Sequence, residues 1–480
     1  MPKNAFISTL VFASLSFIPA AAGIFLLPLY LQKLSAEEFA ILNLVNVFAG
    51  LAAMFGNLKL DAAIRTFYFD FEEKSREQNA YLSKIFSFST FLLLLSFFGL
   101  CLLGPNLFTL LFKSKEIHFY PFGFYALAAA FLALFRTPYM IFLKNRIHLK
   151  EFAAYNLGEF GLILGLQAIF ILVMGWGLVG ALLGLLWGQI GISSIFLIFN
   201  FKLIQFSIKQ TDVLPSLKYS VLLLPFVLMN WALLRGDRIF FERLSNLEEV
   251  AKYALLMTIV GLSRFIFNAL DNAIRPFLFP LFKEAEQQQV SIANFHKYYV
   301  GIYCLFLAAL LMLGHLLPLF TDKSNYLSII PYFAWACLAL IPSIWVRMYN
   351  LQLVFAKKSQ LISLYGTIQF AVLIFAFYSW VPSYGISGAL AAIGLSNLVA
   401  MFIFVGLARS YTGLQIPLFQ GKTMMLMTII SIGLARSLNE LWPTTAIDYE
   451  LAVFPFLLSC FLALNFSTIQ EALSRSSLKK

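Results

Sequence analysis

Apolar stretches of about twenty residues alternate along the chain with short polar connectors. A helix rises about 1.5 Å per residue, so about 20 residues cross the ~30 Å hydrocarbon core of a bilayer. Lipid cannot satisfy open backbone groups, so such spans must be helical. The pattern predicts fourteen spans, at about residues 10–31, 39–58, 84–103, 119–142, 152–173, 178–199, 217–240, 250–270, 298–319, 327–351, 361–379, 386–407, 423–439 and 450–467. The first is longer than the apolar core of a secretory signal, and a second follows almost at once. It is therefore read as a retained span.

Composition strengthens this picture. The 480 residues are 61% hydrophobic and only 12% charged, where soluble proteins carry about 25% charged residues. The expected fold class is thus an all-α polytopic membrane protein. Fourteen spans put both termini on one side. With the termini inside, about 22 of the 34 Lys and Arg fall on the cytoplasmic side and about 8 in outer loops. Inner loops include LKNRIHLK (143–150), FKLIQFSIK (201–209), FAKKSQ (355–360) and the tail LSRSSLKK. The net charge of +11 is mostly this bias. No basic cluster sits on a polar domain, so nucleic acid is not an expected partner.

Cys101, Cys304, Cys337 and Cys460 are isolated in apolar runs, and the four His (118, 148, 296, 315) lack ligand spacing. Neither a disulfide framework nor a metal site is expected. No G-x-x-x-x-G-K-[ST] occurs, so no nucleotide hydrolysis is expected of this chain. No cofactor is expected, and the chain is not read as an enzyme.

The chain also repeats itself. LDAAIRTFYF (60–69) and LDNAIRPFLF (270–279) agree at seven of ten positions, 210 residues apart. LQKLSAEEFAILNL (31–44) parallels FERLSNLEEVAKYALL (241–256), and GLVGAL (177–182) parallels GISGAL (385–390). Arg136, followed by Lys144 and Arg146, parallels Arg347, followed by Lys357 and Lys358. The repeat covers spans one to six and seven to twelve. Six crossings is an even number, so both halves enter from the same side, as parallel repeats about an axis along the membrane normal. The expected organisation is an N-terminal six-helix bundle (1–215), a C-terminal six-helix bundle (216–410), and two further spans with a cytoplasmic tail (411–480). Such halves rock about their seam in alternating access, which favours a transporter.

LPLYLQKLSAEEFAILNL, LKLDAAIRTFYF, RGDRIFFERLSNLEEVAKYAL and GLVGALLG carry a family resemblance. The chain resembles the oligosaccharide flippases of the polysaccharide biosynthesis branch of the multidrug/oligosaccharidyl-lipid/polysaccharide exporter superfamily, over most of its length to about residue 410. The resemblance implies two six-helix bundles facing a central cavity. It implies flipping of undecaprenyl-pyrophosphate-linked sugars from the inner to the outer leaflet of the bacterial cytoplasmic membrane, for O-antigen, capsule or exopolysaccharide. The implied partners are that lipid-linked oligosaccharide, membrane lipids and polysaccharide polymerase machinery.

Ionisable residues inside spans are costly and are functional candidates by default. Asp61 and Arg65 end span two, and Asp271 and Arg275 end span eight. Their i,i+4 spacing allows a local ion pair. The functional alternative sets Arg65 and Arg275 across the pseudo-twofold as a cationic mouth for pyrophosphate, which guanidinium recognises through its planar fork. Arg136 and Arg347 lie in the inner halves of their spans, either snorkelling to headgroups or lining the cavity. Arg264, seven residues before Asp271, is a candidate buried substrate cation. The repeat places Arg235, Asp237 and Arg238 within span seven, opposite the uncharged Phe25, Leu27 and Pro28. Glu159 is the candidate for H⁺ or Na⁺ coupling, and a pair with Arg136 or Arg146 is the structural alternative.

More basic than acidic residues inside spans suits an anionic pyrophosphate. A multidrug cation antiporter of the same superfamily, the alternative, would want cavity carboxylates. A membrane-embedded sugar polymerase would carry a large outer loop, and the outer loops here are short.

Overall fold

The computed structural model describes residues 15, 18, 22, 23, 25–68, 76–200, 213–284, 287–356, 359–412, 421–441 and 448–464. Most of the first expected span, the loop 201–209 and the tail 465–480 lie outside them. Every regular element among the described residues is helical.

The longer helices are α1 (Leu27–Lys33), α2 (Ala36–Asn57), α3 (Leu60–Phe67), α4 (Arg76–Leu111), α5 (Phe124–Asn145), α6 (Leu149–Ala168) and α7 (Gly177–Asn200). They continue as α8 (Leu214–Trp231), α9 (Asp237–Leu244), α10 (Leu247–Lys283), α11 (Gln289–Gly314), α12 (Ile330–Phe355), α13 (Ser359–Thr412), α14 (Lys422–Leu441) and α15 (Val453–Leu464). Among the described residues, ten helical segments are long and apolar enough to cross a membrane, where the sequence predicts fourteen spans. Two expected spans, 361–379 and 386–407, share one segment, Leu364–Ala408, and α13 changes direction inside it at Gly385 (φ 54°, ψ −128°). The span expected at 250–270 lies in α10. The last falls on a shorter apolar helix, Tyr449–Leu464. The chain is a multi-pass helical membrane protein.

Two compact units divide it, Met1–Ala254 and Leu255–Lys480, with the boundary inside α10. The first reaches past residue 215, the boundary expected from the repeat, because α8 packs within it. Tyr81 and Ser216 share a 3.0 Å hydrogen bond, and the Phe67 and Tyr219 rings meet at 5.7 Å.

The internal repeat is visible in local geometry. Gly177 and Gly385 open the two copies of the G-x-x-G-A-L motif, and both take left-handed backbone angles (φ 49° and 54°) that favour glycine. Three residues on, a Cβ on Gly180 would lie 3.0 Å from the Phe170 carbonyl oxygen, and one on Gly388 would lie 2.5 Å from that of Trp380. Both contacts are at the same motif position, and both let helices approach without a side chain between them. Helix starts match as well. Ser35 caps α2 in a reciprocal capping box with Glu38, and the Asn246 side chain accepts the Glu249 N–H at the start of α10.

The copies part after the second span. α2 ends at Asn57, and the chain turns through left-handed Leu58 and Lys59 (φ 43° and 61°) before α3. The matching stretch of α10 runs on as one helix of 37 residues. Left-handed angles cost a residue with a Cβ about 1 kcal/mol or more, so the break is a strained feature of the first copy alone.

Candidate functional site

In the first unit the charged centre is formed by α5, α6 and α7. Arg136 on α5 donates to Glu159 on α6 at 3.3 Å and to Gln189 on α7 at 2.5 Å. Gln189 returns a 2.7 Å bond to the other oxygen of Glu159, closing a three-membered ring of polar groups. The Arg136 side chain is 3% exposed. It is buried among these two partners. Of the two readings of Glu159, the structure places it in the ion pair with Arg136.

In the second unit the repeat-mate of Arg136 does something different. Arg347 on α12 donates to Asp271 on α10 at 2.8 Å and to Asn268 at 2.9 Å, and its guanidinium lies over the Phe267 ring. Asp271 also accepts the Tyr299 and Tyr303 hydroxyls of α11, at 2.5 and 2.7 Å, both on Oδ1. Among the described residues, the charged partner of Asp271 is therefore a neighbouring helix's arginine. The Arg275 and Arg264 side chains lie outside the described residues.

The position of Glu159 explains the change. Tyr155-x-x-x-Glu159-Phe160 in α6 matches Tyr365-x-x-x-Gln369-Phe370 in α13, again 210 residues apart. The second copy has a neutral Gln369 where the first has an acid. Gln369 bonds Asn397 at 3.0 Å, as Glu159 bonds Gln189. Asn397 in turn donates to the Ala339 carbonyl of α12. Sequence reading missed Gln189, Gln369 and Asn397 because amides in apolar helices carry no charge signal. Aligning the repeat around Glu159 finds them.

Asp61 stays local. Lys59 lies 3.3 Å and Arg65 3.4 Å from one of its oxygens, and the Arg65 side chain is 62% exposed. An exposed pair of this kind contributes about 0–1 kcal/mol.

The RGDR segment is helical, as the repeat requires. A π-helical turn (Ala232–Gly236) joins α8 to α9. Arg235 is exposed and makes no ion pair among the described residues. Asp237 is buried and accepts the Tyr253 hydroxyl at 2.7 Å, while Tyr253 stacks on Phe241. Arg238 donates to the neutral Asn43 at 3.2 Å. Just beyond, buried Glu242 takes the backbone N–H groups of Lys113 and Ser114, and Arg243 donates to the Leu110 carbonyl. Glu242 therefore holds a chain turn.

Two further features lie in the second unit. His315 bridges Asp448 (2.7 Å) and Glu450 (3.0 Å), fastening the segment between α14 and α15 to the end of α11. A groove of about 690 Å³ between α12 and α13 is lined by Trp335, Pro342, Trp380, Tyr384 and Leu398, and no charged side chain lines it. No group of His, Cys, Asp or Glu able to hold a metal occurs among the described residues.

No protein-family profile and no curated protein matches the chain. Solved structures do. An inward-facing multidrug resistance MATE family transporter of the MOP superfamily matches with TM-score 0.67 at 15% identity, over 83% of this chain and 94% of that one. The lipid II flippase MurJ, in its inward closed conformation, matches with TM-score 0.58 at 14% identity, over 94% of this chain and 98% of that one. A MOP superfamily transporter from Pyrococcus furiosus, described by a reverse polarity of its binding pocket, matches with TM-score 0.54 at 16% identity, over 85% of this chain and 94% of that one. The chain therefore has the fold of the MOP superfamily, the superfamily whose flippase branch its motifs resemble.

Proposed function

We propose that this protein flips lipid-linked oligosaccharides bearing a pyrophosphate from the inner to the outer leaflet of the bacterial cytoplasmic membrane. The product feeds a surface polysaccharide such as O-antigen, capsule or exopolysaccharide. The observation that carries this reading is Arg235. It lies in an apolar membrane segment and is exposed, with no ion pair among the described residues. A guanidinium in that setting is costly unless an anion meets it. Its nearest acid in sequence, Asp237, is engaged by Tyr253. A pyrophosphate supplies the missing charge and accepts the guanidinium's paired hydrogen bonds.

The first unit's Glu159, the acid a cation exporter would use, is committed to Arg136. The match to MurJ fits a lipid-linked substrate. In this reading two six-helix bundles alternate access, with both termini cytoplasmic, and an H⁺ or Na⁺ gradient drives the cycle. A multidrug cation antiporter is the second reading, favoured by the MATE transporters that share the fold.

The test uses cells lacking the protein, with and without a plasmid copy. Accumulation of undecaprenyl-linked saccharide on the inner leaflet, with loss of surface polymer, is the expected result, and Arg235→Ala should not restore the polymer. Unchanged polymer with raised sensitivity to cationic drugs would support the antiporter instead.

A further inference from the structure

Within the first unit, Arg235 has a facing wall. Two contacts fix how α2 lies against α8 and α9. Arg238 donates to Asn43 at 3.2 Å, and a Cβ on Gly50 would lie 3.7 Å from the Trp231 indole nitrogen. Seven residues separate Asn43 from Gly50, and seven separate Trp231 from Arg238. The helices therefore run antiparallel and keep step across the π-helical turn. Three residues in from the Asn43–Arg238 contact, the register sets Asn46 opposite Arg235. Asn43, Asn46 and Gly50 share one helix face, as do Trp231, Arg235 and Arg238, because both sets are spaced by three and four.

This seam is positive and has a donor to spare. Its two arginines have one neighbouring acid, Asp237, which also accepts the Tyr253 hydroxyl. The α2 wall adds no charge, and the first expected span contains no acid. The Trp231 indole N–H is buried without a hydrogen-bond partner among the described residues. A buried indole N–H usually finds an acceptor. Gly236 leaves room for that ring, since a Cβ there would lie 3.2 Å from it.

We infer that the seam between α2 and α8–α9 is the diphosphate subsite, with Asn46 as its specificity-determining residue. Arg235 takes the phosphate oxygens, and the Trp231 indole N–H donates to the same group. Asn46 keeps the facing wall neutral, so the Arg235 charge stays available. An acid there would do to Arg235 what Glu159 does to Arg136 in the same unit. The inference deepens the flippase reading and rests on it.

Asn46→Asp changes an amide to a carboxylate of the same shape, and it separates binding from stability. Binding of farnesyl pyrophosphate to the purified full-length protein is measured by calorimetry at neutral pH, with farnesol as the control for the chain alone. Asn46→Asp should bind about tenfold more weakly, through loss of a charge-assisted contact. Its thermal midpoint should not fall, because Arg235 gains a partner. In an Arg235→Ala background the same change should lower the midpoint by several degrees, since the acid is then unpaired in the membrane. Trp231→Phe keeps a ring and loses only the N–H, and should bind about fivefold more weakly. It serves as the binding variant if Asn46→Asp does not elute as a single species.

Wild-type affinity in Asn46→Asp, or in Trp231→Phe where that variant stands in, overturns the subsite. So does an equal loss of midpoint from Asn46→Asp in both backgrounds, which would place Asn46 away from Arg235. Weak binding by Arg235→Ala in the same experiments leaves the flippase reading standing. Failure of wild type to bind farnesyl pyrophosphate, or wild-type affinity in Arg235→Ala, overturns both.

Discussion

The two units solve one electrostatic problem in different ways. Each has an arginine at the same repeat position, and each gives it one carboxylate. In the first unit the acid is Glu159, on the helix following that of Arg136. In the second it is Asp271, on a helix that precedes Arg347 by two. The exchange goes with two local changes. Gln369 replaces the acid of α6, and α10 runs unbroken where α2 stops at Leu58 and Lys59. A duplicated sequence therefore preserves the need to neutralise a membrane arginine, and leaves the partner to local helix geometry. The first arrangement is sealed. The second keeps some exposure, and this difference makes Arg347 the more accessible of the two cations.

The largest effect should come from breaking the sealed pair. Glu159→Gln leaves the Arg136 charge buried, which costs about 3–5 kcal/mol. The thermal midpoint in detergent should fall sharply, and Arg136→Gln with Glu159→Gln together should recover most of the loss. A wild-type midpoint for the single variant would erase the contrast between the units. Arg347→Gln should cost less, about 1–2 kcal/mol, because its site is partly exposed and Asp271 keeps two hydroxyl donors.

Transplanting the first unit's solution sharpens the comparison. Gln369→Glu added to Asp271→Asn should return Arg347 to an acid and recover most of the thermal midpoint that Asp271→Asn loses. No recovery would show that a matching repeat position does not suffice. Lys59→Gly relieves a left-handed residue at the break and should stabilise by up to about 1 kcal/mol. Any loss would mean that the Lys59–Asp61 contact matters more than the strain. Arg65→Ala should change stability least, by under about 1 kcal/mol, since the side chain is 62% exposed. Chemical denaturation in micelles resolves both.

Sequence alone determined the solvent, the element type and the duplication. Those follow from one-dimensional quantities: the length of apolar runs, the scarcity of charge and self-similarity near one offset. The placement of RGDR inside a helix came the same way, from its repeat-mates Phe25 to Pro28. Tertiary structure decided which charges meet across the helices of the second unit. The i,i+4 rule offers Asp271 only its own helix's Arg275, while helix packing brings Arg347 within hydrogen-bond reach, under about 3.5 Å, from 76 residues away. The amides at 189, 369 and 397 were likewise silent, because a neutral polar residue in an apolar helix shows its role only through what it touches. Apolar patterning is additive along the chain and survives in one dimension. Ion pairing depends on ångström-scale registry between helices, which the fold supplies.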